Sequence, residues 1–396
     1  RDGEKLFSVG ETGHGLSVVL SGAVDVSRRE GADDVPIIVH RAGNFLGELA
    51  QLSGRPALVD ARAVGETEVI DIPPHRLRAL LAAEAVIGER IMRALILRRV
   101  GLIETGAGGP IIVGEADDAD VLRLENFLTR NGHPHSRLDP ATDEEARTLI
   151  ERFHVAPEEL PITICPGGQI LRNPSEAALG RCIGLVRAID PGRLFDVAIV
   201  GAGPPGLPTA VYGGSEGLSA IVIDCRAFGG QAGASARIEN YLGFPTGISG
   251  IALMARAFTQ AQKFGVEIAI PDEAVRLEGE AGDFRLRLAD DEVVRARAVV
   301  IASGARYRRL DVAALEAFEG RSVHYWASPL EAELCDGKEI ALVGGGISAG
   351  EAVAYLAEQS ARVTLIARRP LVETMSAYLV ERLEGLANVE IVTGAE

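Results

Sequence analysis

The stretch FDVAIVGAGPPGLPTAVYGGSEGLSAIVID, Phe195 to Asp224, decides how this 396-residue chain is read. An apolar run, Val197 to Val200, leads into glycines at 201, 203 and 206. A helical segment follows, and a second apolar run ends on an acid, Asp224, 23 residues after Gly201. Each glycine has a physical job in such a strand–turn–helix: the first permits the tight turn, the second lets a pyrophosphate approach the backbone, and the third lets helix and strand pack closely. Phosphates at that helix start meet free N–H groups and the positive end of the dipole. Asp224 is placed to accept from an adenosine ribose hydroxyl. Glycines alone would also suit ordinary tight turns, and the flanking strand, helix and spaced acid are what favour the dinucleotide. Pro208 falls in the first helical turn, where no N–H is needed.

The unit recurs downstream. In KEIALVGGGISAGEAVAYLAEQSARVTLIARRP, Lys338 to Pro370, Gly344, Gly346 and Ala349 fill the three loop positions. The second strand now ends in Arg368 and Arg369 in place of an acid. Arginines pair with a 2′-phosphate that an acid would repel, which favours NADP over NAD; a basic surface turn is the alternative. From Leu194 to the end, the alternation of strand, glycine loop and helix predicts a doubly wound α/β fold.

Upstream, two further zones are legible. From Arg1 to about Thr105, short apolar runs between glycine-rich turns predict a small antiparallel roll. Helices follow from Pro74, with Leu77, Leu80, Leu81, Ile87, Ile91 and Leu95 on one face. From about Pro110 to Leu185 the pattern is βαβαββα, close to the smallest size for an independent domain. The fold class expected is therefore multidomain: a β-roll plus helices, a small α/β module, then two dinucleotide-binding α/β halves. Boundaries are expected at 1–106, 107–190, 194–317 and 318–396.

Bulk properties narrow the partners. A formal charge of −16 argues against nucleic acid and against an anionic membrane surface. No long uncharged apolar run predicts a membrane span. Four cysteines with no CxxC do not make a disulfide framework, so a reducing cytoplasm is the expected location. Cys165 and Cys182 are expected to be core or turn residues, Cys225 a structural one, and Cys335 part of a linker. The chain opens on Arg1 with no leader-like segment, so a missing native N-terminus is expected.

Taken in order, GAGPPG, GGQ (229–231), ENYLGFP (239–245), ASGARYRRL (302–310) and GGGISAG (344–350) resemble the low-molecular-weight thioredoxin reductases. The resemblance covers Leu194 to Glu396 and implies FAD at the first loop and NADPH at the second. It implies FAD contacts from Gly201, Gly203, Gly206, Asp224, Gly230, Gln231, Asn240, Ser303 and Gly304, and NADPH contacts from Gly344, Gly346, Ser348, Arg368 and Arg369. Two departures stand out. The family's redox CxxC falls where this chain has Trp326-Ala327-Ser328-Pro329, so neither Trp326 nor Pro329 supplies a thiol. The family also returns to its FAD domain after the NADP domain, whereas this sequence stops at Glu396, and further chain is expected beyond it.

The middle zone, with Pro161 opening its third strand, resembles a thioredoxin or glutaredoxin fold lacking its thiols, which implies a docking or spacer role. The stretch Asn44 to Ala63 resembles the phosphate cassette of cyclic-nucleotide-binding domains. There Gly47 and Glu48 match; the family's phosphate-pairing arginine is replaced by Ala57, with Arg55 two positions away. A cyclic nucleotide is thus one candidate ligand, and a degenerate sensor or a dimerising module the others. The helix near Ile87 to Leu102 could supply a homodimer face. Three functional readings follow. In the first, an FAD- and NADPH-dependent oxidoreductase passes electrons directly to an unidentified acceptor. The second is a disulfide reductase using Cys225 or Cys335, and the third a nucleotide-binding regulator without turnover.

Overall fold

The computed structural model describes residues 1–30, 33–47, 56–105, 108–186, 189–305, 308–325, 327 and 329–395. It divides into two compact units, residues 1–228 with 257–303 and residues 229–256 with 304–396.

The first unit begins with the roll: β1 (Lys5–Phe7), β2 (Leu16–Glu30), β3 (Asp33–Arg41), β4 (Phe45–Leu46) and β5 (Asp60–Ile72). The sheet runs β1-β5-β2-β3, with β4 also on β2. Every pairing is antiparallel. Inward residues Val19, Val24, Val26, Leu46 and Ala61 make its core with Phe7, Ala57, Leu58 and Val59. Two helices follow, Pro74–Ala83 and Ala85–Thr105. Leu77, Leu81, Ile91 and Leu95 bury against Leu16. Ile87, expected on that stripe, is 49% exposed. Ile87 stands in the first turn of Ala85–Thr105, where buried Gly88 makes the close approach to Leu81, and the apolar stripe is buried only from Ile91 onward.

Next come β6 (Ile111–Val113), the helix Ala119–Arg130, β7 (Ser136–Leu138), the helix Glu144–Arg152, β8 (Ile162–Ile164), β9 (Ile170–Arg172) and the helix Glu176–Cys182. The sheet order is β7-β6-β8-β9, with β6 and β7 parallel and the other pairs antiparallel. The first helix starts where Asp118 accepts from the N–H groups of Asp120 and Val121. It buries Val121, Leu124, Phe127 and Leu128 against Ile112, Leu179 and Ile183. The Leu160–Pro161 peptide before β8 is cis.

The last part of this unit is a six-stranded sheet. Its strands are β10 (Leu194–Val200), β11 (Ala220–Ile223), β12 (Glu267–Ala269), β13 (Ala274–Glu280), β14 (Asp283–Leu288) and β15 (Val293–Ile301). The order is β12-β11-β10-β15-β14-β13. Strands β12, β11, β10 and β15 are parallel, and β13 and β14 add an antiparallel edge.

The second unit carries a parallel three-stranded sheet, β16 (Glu339–Val343), β17 (Arg362–Ala367) and β18 (Val389–Thr393). The helices Ile347–Leu356 and Ala377–Glu384 pack on it through Val353, Leu356, Leu379, Val380 and Leu383. Among the described residues no helix is long and apolar enough to cross a membrane.

Two glycine loops as candidate dinucleotide sites

In the first unit, β10 ends at Val200 between parallel neighbours, so its C-terminal end opens where α/β sheets hold ligands. Gly201 turns the chain at φ +110°, and a Cβ there would stand 2.1 Å from the Ala302 carbonyl oxygen. That same close approach brings Ser303 alongside, its N 3.2 Å from the position of such a Cβ. At Gly206 a Cβ would be 1.8 Å from the Gly201 oxygen, so only glycine lets the helix Gly206–Ser215 begin this close to the strand. Gly203 is buried, and its carbonyl accepts from the Leu207 N–H at 3.0 Å.

Asp224, directly after β11, does more than its spacing suggested. Its Oδ2 accepts from the Ala202 N–H at 2.9 Å, and Oδ1 accepts from the N–H groups of Arg226 and Ala227. The acid therefore braces the glycine loop from behind. Two carboxylate oxygens offer about four acceptor positions, which leaves one for a hydroxyl. The Asp224 carbonyl accepts from the Asp272 N–H at 2.9 Å. Asp272 is itself buried, and its carboxyl is pushed up to about 6 by burial and by Asp290 and Glu292, against the opposing charge of Arg181.

In the second unit, Gly229 and Gly230 both adopt positive φ, 96° and 53°. They lead into Gln231, whose Nε2 donates to the Ala305 oxygen at 2.6 Å, next to Gly304. Gln231 thus lies beside Gly304. Asn240 is exposed in the following turn. Its neighbour Glu239 takes a two-pronged bond from Arg382, at 2.5 and 3.2 Å, which holds the Glu239 carboxyl below its ordinary range. Nothing in the sequence signalled that pair.

The second glycine loop follows β16. Gly344 has φ +153°, and Gly346 caps the helix Ile347–Leu356, with its carbonyl accepting from the N–H groups of Ala349 and Gly350. Ser348 is exposed in the first turn. Arg368 and Arg369 stand exposed beyond the end of β17; Arg369 reaches Glu373 only at 3.9 Å, and Arg368 makes no ion pair among the described residues.

A family model for "Pyridine nucleotide-disulphide oxidoreductase" matches residues 195–396, half of the chain. The chain belongs to that family. A second model, "Cyclic nucleotide-binding domain", matches residues 1–84. Among curated proteins it is 36% identical over 189 residues to the thioredoxin reductase of Bacillus subtilis (strain 168), covering 46% of this chain and 57% of that one. It is 35% identical over 209 residues to the thioredoxin reductase of Mycolicibacterium smegmatis, covering 51% and 64%. The chain thus spans under two thirds of the length of these relatives. Among solved structures, the T. acidophilum thioredoxin reductase aligns with TM-score 0.48 at 28% identity, over 52% of this chain and 65% of that one.

The cysteines of the chain require a correction. Cys165 and Cys182, expected as separate core or turn residues, form a disulfide. Cys225 and Cys335 are free. Although Cys225 reaches the surface, partial burial, Asp224 and Glu273 push its thiol up. Burial does the same to Cys335, which packs against the second unit's core. Trp326, Ser328, Glu48 and Arg55 lie outside the described residues, as does the side chain of Pro329, the first residue of the helix Pro329–Leu334.

Proposed function

We propose that residues 195–396 form the core of an FAD-dependent, NADPH-oxidising, thioredoxin reductase-like oxidoreductase that delivers electrons to its acceptor without a CxxC. The observation that carries this is the pair of glycine loops, each at the C-terminal end of a parallel strand and each opening a helix. At the first, Gly201 and Gly206 leave no room for side chains, the cradle a pyrophosphate needs. Gly203 and the N-terminus of the helix Gly206–Ser215 present N–H groups to phosphate, and Asp224 keeps an acceptor for a ribose hydroxyl. Gly230, Gln231, Asn240, Ser303 and Gly304 are the remaining residues assigned to FAD. At the second loop, Gly344, Gly346 and Ser348 receive the nicotinamide dinucleotide's phosphates, and the exposed guanidinium groups of Arg368 and Arg369 pair with a 2′-phosphate. When both are bound, NADPH supplies a hydride to the flavin, which passes electrons onward.

Within the sequence no two cysteines stand three apart. The raised thiols of Cys225 and Cys335 carry little thiolate at neutral pH, which disfavours either as a substitute nucleophile. In this reading the acceptor meets the flavin itself: a quinone, a redox protein, oxygen or a partner's disulfide.

The same reading divides the chain at 1–106, 107–190, 194–317 and 318–396. It takes 107–190 as a thioredoxin-like module used for docking, supported by the order β7-β6-β8-β9. The roll is kept as a sensor-like module, with a cyclic nucleotide as its candidate ligand. A homodimer is supported by the helix Ala85–Thr105, which exposes Val86 at 69% and Leu97 at 64%. Placement in the cytoplasm completes the proposal.

The purified full-length protein is expected to be yellow and to bleach on anaerobic addition of NADPH, far less with NADH. A colourless protein that binds no added FAD overturns the enzyme reading and favours the regulator without turnover.

A further inference from the structure

Cys165 closes the hairpin between β8 and β9: its N–H donates to the Gln169 carbonyl and its own carbonyl accepts from Gly168. Cys182 is the last residue of the helix Glu176–Cys182, 17 positions on, and the two are disulfide-bonded. Cys165 is buried, at 4% exposure, whereas Cys182 is only partly covered. An incoming thiolate therefore reaches the Cys182 sulfur first.

The residues flanking Cys182 carry contacts out of this module in two directions. A Cβ at Gly180 would lie 2.8 Å from Pro271 Cδ, and Arg181 Nη2 lies 3.3 Å from Asp290 Oδ2, both in the six-stranded sheet region. A Cβ at Gly184 would lie 2.2 Å from Pro56 Cγ, in the roll. Pro56 falls within the cassette-like stretch, and Pro271 directly precedes Asp272, whose N–H meets the Asp224 carbonyl. One short helix thus stands between the cassette and the acid that braces the first glycine loop. Seven residues do not hold a helix by propensity. Leu179, Ile183 and Leu185 anchor it in the module's core, and the disulfide ties its C-terminal end to the hairpin.

We propose that Cys165–Cys182 is a reversible redox site, opened by dithiol attack at Cys182, whose state sets how firmly this helix grips Pro56 and Pro271. In reduction, a dithiol's thiolate bonds to the Cys182 sulfur, the S–S bond breaks, and Cys165 leaves as a thiolate that takes a proton. The second thiol of the reagent then closes on the first, releasing the Cys182 thiol and leaving the reagent as its disulfide. Two electrons pass from dithiol to protein, and a disulfide oxidant reverses the exchange. The flavin reading is not needed for any of these steps.

The test uses the full-length chain carrying Cys225→Ser and Cys335→Ser, purified without reductant and equilibrated in dithiothreitol redox buffers. Alkylation and mass spectrometry in denaturant are expected to count no free thiol before reduction and two after. Hydrogen exchange is expected to quicken about tenfold or more at 179–185 on reduction, since loss of a cross-link frees the segment it closed. Exchange at 57–59 and 268–272 is expected to quicken with it, through the two proline contacts. Two free thiols in the unreduced chain overturn the proposal. So does quickened exchange that stops at 165–185 and never reaches 57–59 or 268–272. Cys182→Ser, measured in the same way, should reproduce the reduced pattern; if it does not fold, the redox titration decides alone.

Discussion

Replacing Asp272 by asparagine tests the electrostatics behind the first glycine loop. Asp272 is 7% exposed, and its carboxyl is raised from 3.8 to about 6, chiefly by burial and further by Asp290 and Glu292. The folded protein binds this proton more tightly than the unfolded chain does. Stability therefore falls as pH rises from about 4 to about 6, and the loss is complete above that window. A rise of roughly 2 units corresponds to about 3 kcal/mol at neutral pH. An asparagine amide left short of hydrogen bonds gives part of that back, so the net gain from Asp272→Asn is about 1–2 kcal/mol at pH 7.5. Scanning calorimetry should show this as a rise of about 2–4 °C per kcal/mol in the unit's transition. The advantage should shrink as pH falls through 6 and vanish near 4, where aspartic acid is also neutral. Arg181→Ala removes the opposing positive charge, so the gain from Asp272→Asn should be larger in that background. An advantage that is flat with pH, or a loss of stability at pH 7.5, refutes the argument.

Three further outcomes follow from the geometry. Gly206→Ala forces a methyl to within 1.8 Å of the Gly201 oxygen, so the loop must open; flavin affinity should fall tenfold or more, read by absorbance after gel filtration. Removing Arg368 and Arg369 together should raise KM for NADPH by about tenfold or more, with kcat and the response to NADH little changed, because a charge-assisted contact to a 2′-phosphate is lost. A double-mutant cycle on Glu239 and Arg382 should give a coupling of about 0.5–1 kcal/mol, the scale of a well-aligned surface pair. Because the Glu239 carboxyl is held low chiefly by its hydrogen bonds from Arg382, that coupling should persist at pH 5 and disappear only below the ordinary glutamate range.

What the sequence made legible was local. The strand–glycine–helix units, the roll and the βαβαββα order all rest on spacings within about 30 residues, where periodicity and turn chemistry act. What escaped it depends on contacts between distant segments. Spacing offers Asp224 as a ribose acceptor but not as a brace for the Ala202 N–H, since that bond exists only once β10 and β11 pair. Cys165 and Cys182 carry no spacing signal, because their meeting depends on a hairpin and a helix packing over one core. Ile87 was misplaced because the close approach to Leu81 falls on its neighbour Gly88, a contact between two helices that spacing along one of them does not show.

The roll's own packing bears on its candidate phosphate site. Where the cyclic-nucleotide family keeps an arginine, Ala57 is 3% exposed within the roll's core. An arginine there would bury a guanidinium among Val19, Leu46 and Leu58, so the packing itself opposes the missing charge. The cation that does reach the cassette comes from elsewhere. Arg98, on the helix Ala85–Thr105, donates to the Gly47 carbonyl at 2.9 Å and lies 4.5 Å over the Phe45 ring. Partial burial lowers its pKa, and burial together with its charge lowers that of His40. A guanidinium engaged by a backbone carbonyl and an aromatic face serves first to dock helix on roll. By contrast, Arg368 and Arg369 beyond β17 remain exposed, which leaves them open to the 2′-phosphate proposed for them.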